Sequence, residues 1–318
     1  MIWKWMAGVI LLAKQAVTPD NSLDVWPGNL TVTLEGQTIV DAKRTDYEFP
    51  LPGTPVVNDV RLKEMIQRLE KQVYRAPVDA TLDGWGSIVP ESAGYKLDSR
   101  AFADQFYGFM VEGGPTLIEV PRRVLYPRVD SELLTIIKEK VIGHYTTYYN
   151  SSNKNRSHNI DLASKAINNH YVFPGETFSF NAIVGERTVR KGYQMAKVIV
   201  RGEVSEGIGG GICQISSTLY NAVDRAGLKI VERYSHSRNV PYVPPGRDAT
   251  VSWGGPDFIF QNQYDHPVLI RSYSGAGQTS IMIYSSDEIH NKPREVPSAS
   301  KKLPEEVIAD RNVHQIVP

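Results

Sequence analysis

Four glycines fall within the five residues 207–211, and the chain's single cysteine, Cys213, follows two positions later. Nothing else in the sequence limits the fold as much. Backbone without Cβ atoms can turn sharply and approach other backbone closely. Directly afterwards Ile215, Leu219, Ala222 and Val223 take helical spacing. A glycine turn opening into a helix puts Cys213 beside free N–H groups and the positive end of the helix dipole. That setting lowers a thiol's pKa and favours the reactive thiolate. The same residues also suit a flexible connector, and a lone thiol also suits a small buried apolar residue. One cysteine excludes a disulfide framework, so apolar cores must hold the chain together.

At 318 residues the chain suits about two such cores. It carries 35 basic and 35 acidic side chains. This balance offers no electrostatic footprint for nucleic acid or an anionic membrane surface. Residues 1–21 form a leader-like segment: Lys4, then an apolar run to Ala13, then Lys14. The run suits a signal or membrane anchor, or an amphipathic first helix, and is short for a bilayer span.

The pattern predicts an α+β fold, a small N-terminal α+β module (22–125) followed by a mostly antiparallel, β-rich domain with a few helices (126–289). In the first, Ser22 to Phe49 reads as a hairpin and strand, and Leu51–Pro55 as a rigid turn. Leu62, Met65, Ile66, Leu69 and Val73 mark one helix, capped by Asn58 or Asp59. Phe102, Phe106 and Phe109 mark a second, capped by Asp98, before a strand from Thr116 to Val120. In the second, Asp130 caps a short helix, Tyr145 to Ser157 reads as a polar loop, and Asn159 to Asn169 as a helix. Phe173–Glu176 is a type II turn by chemistry. Strands are predicted at 196–200, 228–233, 250–253, 258–260, 268–273 and 280–284. From about His290 to residue 318 the chain reads as a flexible tail.

A cysteine nucleophile needs a base, an orienting group and oxyanion donors. His236 lies just past a predicted strand, where a helix out and a strand back could return it to Cys213. A hydrogen-bonded surface histidine is the alternative. Asp248 or Asn239 could orient the imidazole, although an Asp before a strand is commonly a turn residue. The glycine run could supply oxyanion N–H groups, at Gly210, Gly211 and Gln214. A phosphate cradle fails because no Gly-Lys-Ser/Thr follows. Metal binding fails on scattered histidines and one cysteine, and a serine hydrolase on the absent nucleophile elbow. No cofactor is implied.

Several stretches together resemble the VanW family: Asn159–Ala163, Phe173–Asn181, Val184–Arg187, Gly192-Tyr193, Gly209–Ala222, His236-Ser237 and Tyr242–Val251. More loosely, residues from about Val57 to Leu117 resemble the peptidoglycan-binding module that often precedes a VanW domain. The resemblance implies an extracytoplasmic protein of a Gram-positive cell envelope, whose partners are peptidoglycan stem peptides. The family name comes from glycopeptide-resistance (vancomycin-resistance) gene clusters. Some VanW-domain proteins are L,D-transpeptidases, acting through the cysteine that corresponds to Cys213 and joining two diaminopimelate residues. On that reading Arg238, Arg247 and Tyr242 bind substrate, although such arginines are commonly surface charges. A non-catalytic wall-binding or resistance accessory protein, and a cysteine L,D-carboxypeptidase or amidase, are the alternatives.

Overall fold

A computed structural model describes residues 28–49, 56–200 and 203–302. The leader-like segment and the Leu51–Pro55 turn lie outside the described residues. The chain divides into two compact units, residues 1–77 with 93–126, and residues 78–92 with 127–318.

The first unit is built by two amphipathic helices, α1 (Asp59–Val73) and α2 (Ser99–Glu112). Asn58 and Asp98 cap them, each side chain accepting a main-chain N–H that the first turn leaves open. Leu62, Met65 and Leu69 of α1 and Phe102, Phe106 and Met110 of α2 enter one core with Leu30, Val32 and Ile118. A three-stranded sheet closes it, in the order Gln37–Lys43, Asn29–Leu34, Thr116–Glu119. The first pair is the hairpin expected from the turn at Glu35-Gly36. The second pair is parallel and joins residues nearly ninety positions apart, so no local signal announced it.

The second unit is α+β, with antiparallel sheets and a few helices, α3 (Ser131–Ile137), α4 (Lys154–Ile167), α5 (Phe180–Val184) and α6 (Ile212–Arg225). Its main sheet runs Lys140–Tyr148, Gln278–Ser285, Val268–Gly275, His170–Val172. A smaller sheet joins Thr177–Ser179, Ile259–Gln261 and Lys229–Glu232. A hairpin pairs Met195–Val200 with Glu203–Ile208. Helix α6 lies against the strand Lys140–Tyr148 so closely that a Cβ at Gly143 would sit 2.3 Å from the Ala222 carbonyl oxygen. Twelve of its residues are buried, including Gln214, Ser216, Ser217, Thr218 and Asn221. Such a helix persists because each of those polar side chains finds a partner.

Three local expectations fail. Tyr145 to Ser157 is not a loop; it is the end of a strand, a short turn and the start of α4, capped by Asn153. The strand's inward positions carry Tyr145 and Thr147, whose hydroxyls are satisfied by Pro297 and Thr218, so a buried strand looks polar. Thr250–Trp253 joins no sheet and runs into a turn in which Ser252 N–H bonds the Pro256 carbonyl. Residues 290–302, expected to begin a flexible tail, lie against the second unit with Val296 buried. Arg225 donates to the Val296 carbonyl and to Ser298 there, and Arg294 pairs with Asp224. Among the described residues no helix is long and apolar enough to cross a membrane.

Candidate active site

The glycine run is an ordered turn. Gly209 and Gly211 have φ of +83° and +108°, a region L-side chains avoid. A Cβ at Gly210 would lie 2.5 Å from the Lys197 carbonyl oxygen, so backbone passes backbone there. Asn159 fixes the turn by donating to the carbonyls of Gln194 and Gly210. Gly211 occupies the cap position just before α6, and it offers no side-chain cap. The main-chain N–H groups of Gly210, Gly211 and Cys213 meet no acceptor among the described residues. Gln214 does not share this role. Its N–H donates to the Gly211 carbonyl at 3.0 Å, and its side chain bridges Arg156, Thr147 and the Tyr148 carbonyl. The tight first turn of the helix consumes this donor, which corrects the expectation.

Cys213 occupies the first turn of α6, enclosed by protein yet with part of its surface open. Its sulfur is 3.5 Å from the Val251 carbonyl oxygen and 3.8 Å from Thr250 Oγ1. The His236 ring is near enough to that sulfur to act on its charge. On its other side, His236 Nδ1 is 2.6 Å from Asp248 Oδ2, and the His236 main-chain N–H donates to the same oxygen at 2.6 Å. With Nδ1 bonded to the Asp248 carboxyl, Nε2 is the ring nitrogen left to act on the thiol. Both side chains are buried, 5% and 8% exposed, which keeps water from competing for this contact. Asn239, the other candidate for the orienting position, is exposed on the same loop.

Burial pushes the Cys213 thiol up, but the imidazole hydrogen bond, main-chain bonding at Val251 and the imidazole charge together bring it below its ordinary value. Burial likewise pulls His236 down, and the sulfur and Asp248 together raise it above its ordinary value. The opposed shifts favour a thiolate beside an imidazolium. Such a pair can attack a carbonyl carbon, hold the oxyanion on main-chain N–H groups and return a proton to a leaving amine.

The expected substrate-binding residues fare differently. Arg247 is engaged inside the fold. Its Nε donates to Asn221 and its terminal nitrogen to Asp224 at 2.7 Å, two to three turns down α6 from the thiol. Tyr242 is buried beside Ser217, and burial, then the nearby sulfur, hold its phenol neutral by pushing its pKa far up. It does not face solvent. Arg238 is exposed, two residues beyond His236.

One residue of interest received no role from the sequence. Arg187 follows α5, beneath Gly209, whose Cβ would fall 3.1 Å from the Arg187 stem. Both of its terminal nitrogens are buried with no hydrogen-bond partner among the described residues. Its only sequence signal is membership of the Val184–Arg187 stretch.

The VanW-like protein family profile matches residues 155–284, which contain Arg187, Cys213, His236 and Asp248. The uncharacterized protein YoaR of Bacillus subtilis (strain 168) is 54% identical over 311 residues, 98% of this chain and all of that protein. The vancomycin B-type resistance protein VanW of Enterococcus faecalis is 31% identical over 128 residues, 39% of this chain and 46% of that protein. No solved structure matches.

Proposed function

The chain belongs to the VanW family, and on that premise we propose that it works at the cell envelope, on peptidoglycan stem peptides, as a cysteine L,D-transpeptidase. The observation that carries this reading is the line from Asp248 through His236 to Cys213 at the glycine-capped start of α6. The name of the Enterococcus relative supports a setting in vancomycin resistance or the cell wall. The first unit would hold the wall, and the N-terminal segment would be leader or anchor.

The proposed cycle keeps every atom in place. Cys213 thiolate attacks the carbonyl carbon that links a donor diaminopimelate to its terminal D-Ala. The carbonyl oxygen becomes an oxyanion facing the free N–H groups of Gly211 and Cys213. One such donor is worth about 3 kcal/mol in comparable acyl-transfer sites. His236 Nε2 gives its proton to the departing D-Ala amine as the C–N bond breaks, which leaves a thioester. The side-chain amine of an acceptor diaminopimelate then attacks the thioester, gives its proton to His236 and expels the thiolate. Asp248 holds the ring through Nδ1 and favours its protonated form in both halves.

Muropeptide analysis of cells making the protein or its Cys213→Ala variant tests this. The expected result is diaminopimelate-linked dimers with the native protein and none with the variant. Shortened stems without dimers would make it an L,D-carboxypeptidase, with water as acceptor. Identical profiles would leave a wall-binding protein and end the catalytic reading.

A further inference from the structure

An arginine with both terminal nitrogens buried and unpartnered is costly, because a desolvated charge is repaid only by an opposite charge or by acceptors. The second unit leaves very few polar side chains in that condition, and two of the four such atoms among the described residues are the terminal nitrogens of Arg187. Its surroundings do not remove the debt. The Phe180 ring lies beneath it, 5.7 Å from the guanidinium carbon. Asp257 is within electrostatic range, but its oxygens are taken by Ser179 and by the N–H groups of Asn181 and Phe258. Tyr193, also near, is a phenol that burial keeps neutral. The remaining neighbour within range is Cys213.

Two adjacent nitrogens without acceptors form a fork that matches the two oxygens of a carboxylate. Gly209 passes over the stem of Arg187 with no side chain of its own and turns directly into the helix that carries Cys213. We propose that Arg187 is the carboxylate-recognition residue of this site, its guanidinium receiving a free carboxylate of the bound stem peptide beside the acyl carbon that Cys213 attacks. The peptide identity rests on the function proposed above; the preference for a carboxylate does not. Stem peptides of the proposed kind carry such groups on the diaminopimelate side chain and at the terminal D-Ala.

The experiment compares alkylation of Cys213 by iodoacetate, which bears a carboxylate, with alkylation by neutral iodoacetamide. Both are measured on the full chain at a pH where the iodoacetamide rate has reached its plateau, so the thiolate fraction cancels. The native protein is expected to favour iodoacetate, and Arg187→Gln to lower the iodoacetate-to-iodoacetamide ratio by about tenfold, the factor that 1.4 kcal/mol represents. Arg187→Lys should keep part of the preference, since it retains charge without the fork. In native protein at constant ionic strength, acetate should slow iodoacetamide alkylation and acetamide should not, which needs no variant to fold. An unchanged ratio overturns the proposal. So does an unchanged ratio with a pH profile moved upward, which would make Arg187 only a charge that tunes the thiol. Absence of diaminopimelate-linked dimers from cells making the native protein, with the carboxylate preference intact, would refute the proposed function and leave this inference standing.

Discussion

Arg187 and Arg247 belong to the same unit, and their contacts differ in kind. Arg247 spends its donors on Asn221 and Asp224 and lies over the Tyr220 ring, 4.6 Å from its centre. Among the described residues Arg187 spends neither terminal nitrogen on a hydrogen bond. The same contrast divides α6 itself. At its C-terminal end Asp224 is held between Arg247 and Arg294. At its N-terminal end a glycine stands where a capping side chain would, and N–H groups go unused. A region with all its hydrogen bonds made holds the fold, and a region that leaves them open is ready for another molecule. Folding alone would select against the second kind.

The contrast predicts that changes at the open end damage chemistry and those at the closed end damage stability. His236→Ala should show the largest effect, a fall in turnover of about 10²- to 10⁴-fold, the usual worth of a general acid–base. In the native protein Cys213 alkylation should begin at a pH below the ordinary thiol range, and in the variant that early onset should vanish. A variant that melts early in step with its loss of activity would erase the distinction.

Asp224→Asn is the mirror experiment. It should cost about 3 kcal/mol in denaturant unfolding, because two arginines lose the carboxylate between them, and leave the iodoacetamide rate at Cys213 close to native. Burial raises the Asp224 pKa, but hydrogen bonds from Arg294 and Arg247 bring it below its ordinary value in the folded state. Its contribution is therefore full above the unfolded pKa and disappears as pH falls through the folded one. The gap between native and variant stability should close on acidification; a gap that widened would show the charge is not the cause.

Smaller effects sharpen the same division. Gly211→Ala should cost about 1–2 kcal/mol, since φ there is +108°, and its Cβ would press on Arg156 and Ile160 at 3.0 Å. Slower alkylation at equal thiolate fraction would tie that turn to the chemistry. Asn153→Ala, removing the cap of α4, should cost about 1 kcal/mol and leave alkylation untouched.

Much of this was legible in the residues. Helical spacing at Leu62–Val73 and after Cys213, capping side chains at Asn58 and Asp98, and the Pro-Gly turn at Phe173–Glu176 carry their own local physics. The strand at Lys140–Tyr148 was hidden because its buried face uses tyrosine and threonine, whose hydroxyls are satisfied far away in sequence. The contact of His236 with Asp248 could be suggested by spacing, but the choice over Asn239 needed the loop's path. Arg187 was illegible for a deeper reason: whether a cation has a partner depends on the whole surrounding fold, and no window of sequence contains that.

The strand that anchors Gln214 through Thr147 and Tyr148 pairs with residues 278–285, and the far end of α6 is fastened by residues 294–298. A chain made from its first residue onward therefore completes Cys213 long before the supports behind the sulfur exist. Reactivity would be switched on last, by arrival of the final folded segment, and a nascent or interrupted polypeptide would hold an ordinary, sluggish thiol.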